Sequence, residues 1–382
     1  MKNLRSELTQ RKQQGLYRSR KQIESPQGRE IVLNGQRVLN FCSNDYLGLA
    51  AHPVIKQAFI DATRQYGVGS GSAHLVNGHS SAHHKLEEEL AEFTGYPRAL
   101  LFSTGYMANL GVAQSLCGKN DTIIEDKLNH ASLLDAANIS GARLKRYLHR
   151  DYSSLQHKLD KHSSGEILVS SDSVFSMDGD EADINAMIKH TRSKQAWLML
   201  DDAHGFGVLG KSGQGSLNHQ NINADDVPIY MATLGKAMGT AGAFVAGSED
   251  LIEYLIQTAR CYIYTTAMPP AMAAASSASL KLFVEENWRQ QALGENIRHF
   301  KSIASQSGLS CLPSDTAIQP IILGDAQKAW DTSQHLLNKG LHVAAIRPPT
   351  VPANTARLRI TLRADHQRSD IEKLVTEIVE TL

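Results

Sequence analysis

Short apolar runs alternate along the chain with segments whose apolar residues recur every three or four positions. The strand-like runs are ALLFS (99–103), DTIIED (121–126), EILVSSDSVF (166–175), AWLMLDD (196–202), VPIYMATL (227–234) and AGAFVAG (241–247). Helix-like patterns such as HHKLEEELAEFTG (83–95) and ASLLDAANISGA (131–142) lie between them. This alternation predicts an α/β fold around a mainly parallel sheet. In such a sheet the chemistry sits at the carboxyl ends of strands and on the loops that follow. The first forty residues read as an amphipathic helix and then a hairpin, REIVLNGQRVLNF, with Asn34-Gly35 as its two-residue turn. After about residue 275 the texture changes. A long helical stretch (276–307) leads to AIQPIILG, HVAAIRP, ARLRITL and a closing helix, a smaller α+β unit of about a hundred residues. The expected organisation is a helix-and-hairpin segment over 1–40, a large domain over 41–275 and a small C-terminal domain over 276–382.

Composition narrows the function classes. A chain of 382 residues exceeds one ordinary core, which agrees with two main domains. The formal net charge is zero, so no basic field points to nucleic acid. Cys42, Cys117, Cys261 and Cys311 lie far apart, and no C-x-x-C pair suggests a zinc knuckle or redox dithiol. No metal site is expected. Scattered cysteines suit a reducing compartment, and a cytoplasmic location is the expectation. The charged N-terminus lacks the apolar core of a signal peptide, and the apolar stretch AMPPAMAAASSASLKLF is too short and polar to span a bilayer.

Two glycine motifs mislead. Gly205-Phe-Gly207-Val-Leu-Gly210 has dinucleotide-binding spacing after a strand run, but KSGQGSLNHQ follows where a helix would have to open. Gly235-Lys236 resembles the end of a P-loop, but Tyr230 and Ala237 stand where Gly and Ser or Thr are required.

Lys236 in TLGKAMG carries the only charge between Thr233 and Phe244. Such a lysine either snorkels out of a glycine turn or, desolvated, becomes a nucleophile for a carbonyl such as the aldehyde of pyridoxal phosphate. That cofactor needs a carboxylate at its pyridine nitrogen, and Asp201 closes a strand in a suitable place. It needs phosphate donors, and Ser103, Thr104 and Gly105 stand between a strand and a helix. Thr233 can add a hydroxyl, and His130 can supply a flat partner for the ring. Each residue also has a plainer reading, as turn, cap or surface group. The order phosphate loop, histidine, aspartate, lysine is more specific than any member.

With these motifs the chain resembles the α-oxoamine synthases, a group of fold-type I pyridoxal phosphate enzymes. The resemblance covers nearly the whole chain and rests on NFCSNDYLGLA, GVGSGSAHLVNGH, FSTGYMAN, NHASLLDA, VFSMDGD, LDDAHGFGVLG, TLGKAMG, IYTTAMPP and RPPTVPANTARLRITL. It implies a mainly parallel seven-stranded sheet in a large domain, plus a small C-terminal domain. It implies that Lys236 holds the cofactor covalently, Asp201 pairs with the pyridinium, His204 bonds the phenolic oxygen and His130 stacks on the ring. Gly105, Tyr106, Ser176 and Thr233 would contact the cofactor. Thr265 or Thr266 would reach the phosphate of a neighbouring subunit, which implies a homodimer. Arg359 would grip the amino acid carboxylate. The implied reaction is a decarboxylative condensation of an amino acid with an acyl thioester. The stretch AIRPPTVPANTARLR reads like the member that joins L-alanine to a pimeloyl thioester, on CoA or acyl carrier protein, in biotin synthesis. Arg18, Arg347 and Thr350 are then candidates for the distal pimeloyl carboxylate. The alternatives are a sister synthase using glycine, an aminotransferase, or a non-catalytic binding protein of the same fold.

Overall fold

The computed structural model describes residues 2–13 and 16–382; Met1, Gln14 and Gly15, within the expected N-terminal helix, lie outside the described residues. The helix Leu4–Gln13 forms but buries no side chain, with Leu4 and Leu8 both exposed. It is therefore not amphipathic in effect: one pair four residues apart is too narrow a stripe to seat a helix. Arg18 follows in exposed irregular chain. The hairpin is as expected. Strands β1 (Glu30–Leu33) and β2 (Gln36–Asn40) pair antiparallel, with Leu33 opposite Gln36. Asn34 and Gly35 both adopt positive φ, 48° and 78°, as a tight two-residue hairpin turn demands.

The large sheet contains β3 (Arg98–Phe102), β4 (Thr122–Asp126), β5 (Arg143–Tyr147), β6 (Ile167–Asp172), β7 (Trp197–Asp201), β8 (Ile229–Thr233) and β9 (Ala243–Gly247). Their order is β3-β9-β8-β7-β6-β4-β5, and β9 alone runs against its neighbours. The fold is the expected mainly parallel, seven-stranded one. Periodicity misses β5, whose residues RLKRY are mostly charged. The reason is its place at the sheet edge, where basic side chains guard exposed backbone groups. Central strands β4, β6 and β9 are buried at every position, so they read as continuous apolar runs. Helices Gly105–Leu116 and Ala131–Ser140 cover one face, packing Val112 and Leu133 on Leu100, Met199 and Met231. Each such side chain, fully buried, contributes about 1.5–3 kcal/mol.

The C-terminal strands are β10 (Ile318–Gly324), β11 (Leu341–His342), β12 (Ala344–Ile346) and β13 (Ala356–Thr361). The single run HVAAIRP divides here: β11 pairs parallel with β2, while β12 pairs antiparallel with β13. Residues 1–43, 177–179 and 292–382 make one compact unit, and 44–176 with 180–291 make the other. The N-terminal hairpin joins the C-terminal strands through the β2–β11 pairing, Leu39 opposite Leu341. The long helical stretch is two helices, Pro270–Glu285 and Trp288–Gln306. After Gly205–Gly210 the chain makes a short 3-10 turn at Lys211–Gly213, so no helix opens on the third glycine.

Candidate active site

Parallel pairing brings the carboxyl ends of β6, β7 and β8 to one edge. Asp172 lies opposite Asp201, and Asp201 opposite Met231, two residues before Thr233. From Thr233 the chain turns through Leu234 and Gly235 to half-buried Lys236. Lys236 Nζ lies 2.9 Å from His204 Nε2, and His204 Nδ1 lies 2.5 Å from the Tyr46 hydroxyl. A protonated lysine donates to His204 Nε2, so Nδ1 carries the ring hydrogen and donates to Tyr46. Tyr46 donates in turn to Asn44 Oδ1 at 3.3 Å. With the lysine protonated, these contacts set the His204 tautomer and aim the amine at its ring.

A second network starts at His130, which stands before the helix Ala131–Ser140. Its Nδ1 accepts from the Ser132 hydroxyl at 2.7 Å, leaving the hydrogen on Nε2. Asn109 Nδ2 donates to Ser132 Oγ and to Asp201 Oδ2, both at 2.8 Å. Asp201 is 4% exposed, and its other oxygen accepts from the Ala203 amide at 3.1 Å. Among the described residues it makes no ion pair. Burial lowers the His130 pKa, the Asp201 charge pulls it up again, and Lys236 pushes it down. The backbone N–H of His130 donates to Asp172 Oδ2 at 2.6 Å. Burial, then the Asp201 charge beside it, pushes the Asp172 carboxyl well above its ordinary pKa.

Ser103 and Thr104 lie between β3 and the helix Gly105–Leu116, whose first residue is Gly105. Thr104 caps it, its hydroxyl accepting from the Met107 amide at 3.1 Å. The amides of Gly105 and Tyr106 are first-turn donors with no intrahelical acceptor. Tyr106 is exposed and its hydroxyl donates to Asp135, which raises the tyrosine pKa. The Thr233 hydroxyl donates to the Gly242 carbonyl at 3.0 Å and accepts from the Gly235 amide at 3.2 Å. Ser103, Thr265 and Thr266 line one small cavity with His74 and Tyr262. Ser176 lies half-buried in the loop after β6. These residues all belong to the larger compact unit.

Arg18, Arg347, Thr350 and Arg359 belong to the other unit. Arg359 on β13 is 6% exposed and donates to Thr361 Oγ1 at 2.9 Å. The Arg347 guanidinium lies 4.7 Å from the Trp330 ring centroid, and the exposed Thr350 donates its amide to the Arg347 carbonyl. Sequence reasoning missed Asn109, Ser132, Asp172 and Tyr46 as site residues. Asp172 ends β6 as Asp201 ends β7, although its sequence run continues to Phe175, and Tyr46 lies within SNDYLGL. Only the three-dimensional contacts reveal what Asn109 and Ser132 hold.

The donor set fits pyridoxal phosphate. A buried carboxylate without a cation is costly, and a protonated pyridine nitrogen is the partner Asp201 suits. Asn109 Oδ1 is also buried without a hydrogen-bond partner. Lys236 supplies the amine for the aldehyde, and the Gly105 helix end supplies amides for an anion.

Fold and site therefore define a fold-type I, pyridoxal-phosphate-dependent enzyme, and the family described as aminotransferase class I and II matches residues 36–378. An 8-amino-7-oxononanoate synthase of Pseudomonas fluorescens is 54% identical over 99% of this chain and 96% of that protein. A solved 8-amino-7-oxononanoate synthase of Francisella tularensis superposes with TM-score 0.79 at 34% identity, over 90% of this chain and 97% of that one. A serine palmitoyltransferase structure with bound PLP gives TM-score 0.93 at 28% identity, over 99% of this chain and 96% of that one. The chain belongs to the 8-amino-7-oxononanoate synthase family of α-oxoamine synthases, and it is a pyridoxal-phosphate-dependent acyltransferase. No helix among the described residues is long and apolar enough to cross a membrane.

Proposed function

We infer that the chain condenses L-alanine with a pimeloyl thioester, releasing carbon dioxide and the thiol, to give 8-amino-7-oxononanoate. The observation that carries this reading is the contact of Lys236 Nζ with His204 in one compact unit with buried Asp201, in a chain 54% identical to a named synthase. Bound pyridoxal phosphate supplies an electron sink for the charge left at the amino acid α-carbon. Asp201 would hold a proton on the pyridine nitrogen, and Asn109 would keep that carboxylate in place. His130, oriented by Ser132, would stack on the ring. His204 would bond the phenolic oxygen. The amides of Gly105 and Tyr106 and the Thr233 hydroxyl would hold the phosphate. Ser176 would contact the ring. Lys236 would hold the cofactor and would be the base for the amino acid α-proton on Nζ.

Arg359 takes the amino acid carboxylate in a two-pronged contact. Arg347, Arg18 and Thr350 serve the far carboxylate of the pimeloyl chain, because leaving that charge buried and unpaired would cost several kcal/mol. The chain works as a homodimer in which Thr265 or Thr266 reaches the neighbouring subunit's phosphate. Sister enzymes that use glycine, such as 2-amino-3-oxobutyrate:CoA ligase and 5-aminolaevulinate synthase, are the second reading. A panel of amino acids against acetyl, succinyl and pimeloyl thioesters, read by product mass, decides between them. L-Alanine with pimeloyl thioester should be used far better than any other pair, and Arg347→Ala should erase much of the preference for pimeloyl. Equal use of all three donors by the unmodified enzyme rejects the assignment.

A further inference from the structure

A cluster of imidazoles borders the small cavity of Ser103, Thr265 and Thr266, on the turn before the helix Ser81–Thr94 and on its first turns, and the Lys236 and Asp201 networks do not use it. His74, His79, His83 and His84 gather there with Glu87. Their nitrogens are not equally available. His83 has both in use: Nδ1 accepts from the Ser80 amide at 3.0 Å, and Nε2 donates to the Met268 carbonyl at 2.7 Å. His74 lies flat on Tyr262, with ring centroids 4.9 Å apart, and its Nδ1 is 2.9 Å from His79 Nδ1. That bond leaves His79 Nε2 facing Glu87 Oε2 at 3.8 Å. The other Glu87 oxygen is fixed by the Leu101 amide at 3.0 Å. His84 stands one turn before Glu87 on the same helix face, and its side chain is 66% exposed. Its present partner is Glu88, 3.3 Å away on the surface, a weak and exchangeable contact.

We propose that His79, His84 and Glu87 bind a divalent transition-metal ion of the zinc type. One ligand atom from each residue lies within 4.8 Å of the others. In a tetrahedral zinc site, two ligand atoms about 2.0–2.2 Å from the ion lie about 3.3–3.6 Å apart. The 3.8 Å between His79 and Glu87 needs to close by only a few tenths of an ångström. The largest movement is that of the exposed His84, which has to swing inward from Glu88. The supports are those a metal site uses: the second nitrogen of a ligating histidine is hydrogen-bonded, here to His74, and the ligating carboxylate is held by a backbone amide. Two histidines and one carboxylate leave a fourth position for water. The cysteine spacing could not announce this site, because its ligands are imidazoles brought together by a loop and a helix.

Titration of the holoenzyme with zinc by calorimetry, and with cobalt by visible absorption, tests the proposal. Holoenzyme keeps the affinity of pyridoxal phosphate for metal common to every protein compared. One ion per chain should bind with tetrahedral cobalt bands, and zinc should raise the thermal midpoint. His84→Gln changes an exposed residue, so the variant should fold normally by circular dichroism. It should lose more than the roughly 10–100-fold in affinity that outer hydrogen-bond partners cost, together with the cobalt bands and the thermal shift. Unchanged affinity and stoichiometry in His84→Gln, or no saturable binding by the unmodified protein, overturns the site.

Discussion

Asp201 and Asp202 are neighbours in sequence, both buried, yet they face different surroundings. Asp202 is enclosed by donors: the Ser173 hydroxyl, the Ser216 amide at 2.8 Å and hydroxyl at 2.5 Å, and the Tyr230 hydroxyl at 2.6 Å. Burial raises its pKa and these donors pull it down, so the group is a closed structural knot. Asp201 has one side-chain donor, Asn109, and the Ala203 amide. Asp126 at the end of β4 gives a third arrangement, with its cation built into the protein: His149 bonds Asp126 and Asp180, both at 2.9 Å. The lesson is that burial alone does not mark a functional carboxylate. Asp201 differs in being buried with few donors and with no ion pair among the described residues, on the site that would hold the cofactor.

The largest expected effect lies on the Asp201 side. Lys236→Ala should still fold and retain cofactor through its phosphate, but lose product formation by about 10⁴-fold or more, since nucleophile and base both go. Borohydride reduction should fix cofactor on Lys236 in the unmodified enzyme and on no lysine in the variant. The same substitution at each aspartate separates them next. Asp201→Asn should lower turnover by at least about 10²-fold with little change in thermal midpoint. Asp202→Asn should lower stability by roughly 1.5–3 kcal/mol in denaturant titration and spare cofactor binding, because it spoils hydrogen bonds to a charge. Equal effects of the two changes would dissolve the distinction.

The smallest effect concerns the built-in cation. Burial by itself lowers the His149 pKa, but Asp126 and Asp180 raise it from 6.5 to about 9. A histidine raised above its unfolded value stabilises fully below about pH 6.5, and that stabilisation fades as pH rises through about 9. His149→Gln should therefore cost about 1 kcal/mol at pH 6, because solvent screens this partly exposed group, and progressively less toward pH 10. Parallel denaturation curves across that range check the sign. A cost that grows with pH would mean that His149 is neutral in the folded protein.

The sequence by itself determined the α/β class, the positions of the apolar strands, the Asn34-Gly35 turn and the rejection of both glycine decoys. Those features are local: a buried strand must be apolar, and a tight turn must use residues that tolerate positive φ. It also pointed to Lys236, Asp201, His130 and the Gly105 helix end, because each carries its chemistry in its own side chain or in the helix start it opens. Only the tertiary structure decided the rest. Strand β5 is hidden in sequence because edge strands are charged. HVAAIRP serves two sheets, and no local pattern says where it divides. Asn109, Ser132 and Asp172 are ordinary polar residues until β6, β7 and the helices after β3 and β4 place them together. Asp201 differs from Asp202 only in what surrounds it, and surroundings are set by pairing and packing across long stretches of chain.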